Sequence, residues 1–96
     1  MKKIEKEMLK AVCNRENFRK SNTKVLVNAQ CVYVKLYDTI IYVLKNGKEY
    51  FSDGGFNTIT TSSRLRALGA NYSTNENKNK CSLLPQTQMI KLCRPY

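Results

Sequence analysis

The stretch "GGFNTITTSSRLRAL", residues 54–68, concentrates residue types that bind anions. Glycines ahead of a helix let the backbone approach a ligand closely, and the first free N–H groups of a helix attract negative charge. Thr60, Thr61 and Ser62 would add hydroxyl donors at the helix start, with Arg64 and Arg66 supplying charge. A plainer reading competes with this one. A Thr or Ser must cap the helix, and Gly54-Gly55 must turn the chain out of a strand. No Lys follows the glycines as in a P-loop, and no GxGxxG occurs, so those two routes to nucleotide binding are not supported.

A second constellation lies in "CVYVKLY" and "TIIYVLK". With Val32, Val34 and Leu36 turned to a core, strand alternation sends Tyr33, Lys35 and Tyr37 to the other face. Placing Ile41 and Val43 inward adds Tyr42 to that face. Aromatic rings on a sheet stack with unpaired bases at roughly 1–3 kcal/mol each, while neighbouring cations hold phosphates. Tyrosine also favours strands for their half-buried surface alone, and the C-terminal segment is free to cover this face.

Catalysis is poorly served. There is no histidine, so the usual general base is missing. Asp38, Glu49 and Asp53 fall on turns or a strand end, and Lys48 precedes Glu49 where a metal nuclease would want Glu-x-Lys. Cys13, Cys31, Cys81 and Cys93 form no CxxC pair, so no zinc spacing is present. Neither an enzyme, a metal site nor a cofactor is expected. The thiols are expected to be free and mostly buried.

The charge balance points to polyanions. Seventeen Lys and Arg against seven Asp and Glu give +10 over 96 residues, with a pI near 9.7. The apolar fraction of 42% suffices for one modest core. No run approaches the roughly 18 apolar residues of a membrane span, and the glutamates of "MKKIEKEMLK" argue against a secretory signal.

These residues need elements to hold them. Ile4, Met8 and Val12 recur every four residues, which predicts an amphipathic helix over 3–18. "RKSNTK" then reads as a connector. Segments 24–28, 31–37, 39–45 and 48–52 read as short strands, and Asn46-Gly47 is a strong hairpin signal. The breaks are short enough to force an antiparallel four-stranded meander. A second helix is expected over 61–70 and a mobile polar loop over 71–80. The segment after it allows either a strand or a helix. The expected fold is a single α+β domain spanning 1–96, and an unpaired edge strand would allow a homodimer.

The order of Gly55, Phe56, Thr58, Thr60, Thr61, Arg64, Leu65, Ala67 and Leu68 resembles a pattern in short, uncharacterised proteins of tailed bacteriophages. That pattern reads Gly-aromatic-x-Thr-x-Thr-Thr-x-x-Arg-Leu-x-Ala-Leu. Asn22-Thr23 and Val25 match upstream, so the resemblance covers roughly residues 4–68. Phe56 stands where tryptophan is commoner, and Tyr37-Asp38 replaces a His-Gly-like turn. The resemblance implies a phage product of the host bacterial cytoplasm, without an activity to carry over. Two functions follow as expectations. One is nucleic-acid binding (DNA or RNA) with little sequence specificity through Tyr33, Lys35, Tyr37, Tyr42, Arg64 and Arg66. The other is an inhibitor or adaptor that docks on an acidic host protein.

Overall fold

The computed structural model describes residues 2–28, 31–54, 58–69 and 83–93. Element order is α1 (Lys3–Asn14), β1 (Phe18–Lys20), β2 (Thr23–Val27), β3 (Cys31–Leu36), β4 (Thr39–Lys45), β5 (Lys48–Phe51), α2 (Ile59–Ala67) and α3 (Gln86–Cys93). The strands form one antiparallel sheet in chain order, β1-β2-β3-β4-β5. The α+β class and the meander are as expected, with five strands in place of four. The additional strand is β1. Helix α1 stops at Asn14, where Arg15 turns left-handed at φ 53°. The chain is thereby released early enough for Phe18, Arg19 and Lys20 to pair with Val25, Lys24 and Thr23. The expected loop at 71–80 lies outside the described residues.

Three tight hairpins explain why the sheet is a meander. Asn46 and Gly47 both take positive φ, 53° and 77°, which two-residue turns of this hand require. Ser21 and Tyr37 also take positive φ in the preceding turns, at 55° and 57°. Tyr37 is unusual there, and its N–H donates to the Asn22 carbonyl at 2.7 Å, tying two turns together.

The sheet is covered on both faces. On one, Met8, Ala11 and Val12 of α1 and Leu65 of α2 pack on Val25, Val32, Val34, Leu36, Ile41 and Tyr42. On the other, Met89 of α3 packs with Cys31, Ile40 and Val43, and Tyr33, Tyr50 and Leu92 lie around them. The segment left open between strand and helix is thus helix α3, covering β3 and β4. Its first residue, Gln86, accepts from the Ile40 N–H at 2.9 Å and donates to Ser52 Oγ at 3.0 Å. Leu83 bridges Phe51 in parallel and so occupies part of the β5 edge.

A bulge resets the tyrosines. Val34 pairs with Tyr42 and Lys35 with Ile40, which leaves Ile41 as an extra residue in β4. Ile41 and Tyr42 therefore both join the core under α1 and α2, and Val43 faces α3. Simple alternation placed Tyr42 on the opposite face. The bulge corrects that assignment.

Candidate nucleic-acid interface

The first candidate, the start of α2, is built inward. Thr58 caps the helix, its Oγ1 accepting from the Thr61 N–H at 3.1 Å. The helix begins at Ile59, two residues ahead of the expected start. Thr61 and Ser62 are buried, and Arg66 donates to Ser62 Oγ. Thr60 is partly exposed. Gly54 sits at φ +62°, and a Cβ there would clash with Thr39 Cγ2, so this position requires glycine for both conformation and space. The turn-and-cap reading accounts for each of these contacts.

Arg64 is the largest departure from expectation. Its residue is 5% exposed, and Nη1 donates to Glu5 Oε2 at 2.7 Å while Nε donates to Thr23 Oγ1 at 3.1 Å. Ser63 also donates to Glu5 Oε2. One carboxylate of α1 therefore joins α2 to β2 through a buried guanidinium. Burial pushes the Glu5 carboxyl up, but hydrogen bonds from Ser63, Arg64 and the Lys2 N–H, with the Arg64 charge, outweigh it and hold the group below its ordinary value. A guanidinium committed to this network has no free edge for a phosphate.

The three tyrosines do not meet. Tyr42 is buried, donates through its hydroxyl to Glu49 Oε2 at 2.7 Å, and tilts against Phe51 with ring centroids 5.4 Å apart. Burial, then that bond and the Glu49 charge, raises its hydroxyl far above the usual range. Tyr33 lies on the opposite face, half-buried at the edge of α3, and burial raises its hydroxyl too. Tyr37 stands on the β3–β4 turn, 67% exposed. A shared stacking platform is absent among the described residues.

The pairing register instead assembles a feature that the sequence reading missed. Arg19 of β1 stands directly opposite Lys24 of β2, and Lys24 directly opposite Lys35 of β3. All three lie on the α3 side of the sheet but toward the β1 edge, whereas α3 packs on β3 and β4. Neighbouring strands are about 4.8 Å apart, so the row spans roughly 10 Å. Among the described residues no carboxylate forms an ion pair with any of the three, while Lys20 next to them pairs with Glu7 at 2.9 Å. Arg19 and Lys24 line two adjoining grooves of about 430 and 510 Å³, the first shared with Lys35, Asn17, Phe18 and Leu26 and the second with Ser21, Asn22, Tyr37 and Asp38. Like charges directly opposite on a sheet repel. At about 5 Å in water each contact costs up to roughly 0.8 kcal/mol, less as the long side chains splay apart. A bound anion reverses the sign of that term.

Of this row, only Lys35 stood on the face that the sequence suggested for binding. The usable signal was the alternation in "TKVLV", which sets Lys24 opposite in sense to Thr23 and Val25. The pairing of β1 was needed to bring in Arg19. Arg66 is exposed on α2, a separate element from this row. Among the described residues no three His, Cys, Asp or Glu side chains gather as metal ligands, and no helix is long and apolar enough to cross a membrane.

A family model described as Kyanoviridae Gp96 protein matches residues 1–84 of the chain. No curated protein and no solved structure matches it.

Proposed function

The chain belongs to the Kyanoviridae Gp96 protein family, a phage family, and from that premise we propose that it is an accessory protein which binds nucleic acid through phosphate contacts in the host cytoplasm. The observation that carries this reading is the row Arg19, Lys24 and Lys35, three cations held opposite one another on an open part of the sheet. The row reads charge and spacing, not base edges, so sequence specificity is low. With Tyr42 buried and Tyr33 half-covered, stacking contributes little, and Tyr37 is the one ring of the three fully able to reach a base. No catalytic step is assigned.

Salt tests this reading. Three phosphate contacts predict a slope of log K against log salt near −2.7 on duplex DNA and near −2.1 on single strands. Between 50 and 200 mM salt, affinity then falls roughly 40-fold or 20-fold. Titrating the full chain against labelled single- and double-stranded DNA and RNA measures both. Lys24→Ala should lower the duplex slope by about 0.9. An absence of binding at 50 mM salt, or a Lys24→Ala slope equal to that of the parent, removes the proposal.

A second reading, docking on an acidic host protein, is favoured by a different observation. A largely apolar cavity of about 310 Å³ opens between Leu36, Thr39, Ile41, Thr58 and Thr61, with Tyr37 and Asp53 on its wall and the 77% exposed Ile59 next to Thr58. Exposed apolar groups around a pocket suit an anchor residue from a partner. Under this reading Ile59→Ser abolishes retention of a host protein and leaves nucleic-acid titrations unchanged.

A further inference from the structure

The end of α3 and the start of β3 are joined through one side chain. Asn28 Oδ1 accepts from the Cys31 N–H at 2.9 Å, and Asn28 Nδ2 donates to the Cys93 carbonyl at 2.8 Å. The Asn28 N–H also donates to the Cys31 carbonyl at 3.0 Å. A single residue thus fixes the backbones of two cysteines 62 positions apart in sequence. Their side chains lie in the same cluster, with Ile40, Val43 and Met89. Cys31 is buried and Cys93 partly exposed, and the Cys93 side chain packs against the cluster that holds Cys31. A disulfide needs Cβ atoms about 3.5–4.5 Å apart, and two cysteines that share a cluster on backbones tied by one side chain are brought toward that separation.

We infer that Cys31 and Cys93 are a disulfide-forming pair, closed by a peroxide-class oxidant, which locks α3 onto β3. The chemistry proceeds in two steps. The Cys93 sulfur, as thiolate, attacks one peroxide oxygen. The O–O bond breaks, and the departing hydroxide takes a proton to become water. The Cys31 sulfur then attacks the resulting sulfenic sulfur. The S–S bond forms, the S–O bond breaks, and the second hydroxide leaves as water with the remaining thiol proton. Two thiols and one peroxide give one disulfide and two waters.

The environment sets the rate. Burial first, then Cys31, pushes the Cys93 thiol up to about 12, against the smaller opposing pull of Lys35 and Lys45. Tyr33 and Tyr50 are the other titratable groups packed around this cluster. The thiolate is therefore scarce at neutral pH, and its population rises about tenfold per pH unit up to the pKa. The pair stays reduced under mild conditions and closes slowly.

The test is oxidation of the full chain with hydrogen peroxide at pH 7 and pH 9, followed by peptide mapping of all four cysteines under non-reducing conditions. The expected product is a monomer linked Cys31 to Cys93, forming about a hundredfold faster at pH 9. Cys13→Ser keeps the link and Cys93→Ser abolishes it. Closing a loop of about 60 residues should raise the melting temperature by about 10 °C or more in the oxidised parent, with no rise in Cys93→Ser. No Cys31–Cys93 link after oxidation at pH 9 is carried to completion, or a link from Cys93 to another cysteine, overturns the inference. Because nucleic-acid binding uses other side chains, failure here leaves the charge row untouched.

Discussion

Replacing Arg64 by Met should be the most damaging surface-neutral change in this protein. Arg64 and Glu5 are 5% and 3% exposed, and their ion pair is 2.7 Å long. Methionine fills most of the volume but leaves the Glu5 carboxylate buried without its countercharge. Breaking a buried pair from one side costs about 3–5 kcal/mol. A 96-residue domain has roughly 5–14 kcal/mol in total. With an m-value of about 1.5 kcal/mol/M in urea, the midpoint should fall by about 2–3 M. Thr23 keeps a partner, since its hydroxyl donates to Asn22 Oδ1 at 3.0 Å, so the loss comes from Glu5. Changing both residues, Glu5→Leu with Arg64→Met, removes the orphaned charge and should recover most of the deficit. The exposed Glu7–Lys20 pair is the internal control. Its side chains are 39% and 48% exposed, and Lys20→Met should cost under about 1 kcal/mol. Urea unfolding followed by circular dichroism reads all four proteins. An Arg64→Met cost no larger than the control, or a folded Arg64→Met that has lost nucleic-acid binding, would refute the assignment of Arg64 to structure.

Other outcomes follow from the same contacts. Glu5 titrates below its ordinary value in the folded chain, so its contribution is complete above the unfolded carboxylate pKa of about 4.3 and is lost as pH falls through the folded pKa. Urea midpoints from pH 6 to pH 2 should decline below about pH 4.5, and Glu5→Gln should flatten that decline. Gly54→Ala drives a Cβ into Thr39 Cγ2 at a positive φ, and thermal melts should show a loss of about 2 kcal/mol or more. Tyr42→Phe removes one hydrogen bond to an exposed carboxylate, so chemical denaturation should register about 1 kcal/mol at most. The β1 edge is three residues long and Leu83 occupies part of the β5 edge, so sedimentation should report a monomer where an open edge had suggested a dimer.

Local chemistry was legible wherever one residue type or one period suffices. The four-residue spacing of Ile4, Met8 and Val12 marks α1, because it aligns apolar groups on a single helical face. Val32, Val34 and Leu36 alternate, and they share the core face of β3 as their period demands. Asn46-Gly47 names its own turn, since few residues accept positive φ. The lack of histidine bounds the chemistry without any fold. Tertiary structure decided the rest, because those features depend on partners distant in sequence. The bulge that buries Tyr42 exists only in the pairing of β3 with β4. Arg64 becomes a core residue only when Glu5, 59 positions away, arrives beside it. Arg19, Lys24 and Lys35 are three unremarkable cations along the chain. Strand register sets them opposite one another, since a sheet converts sequence separation into lateral contact.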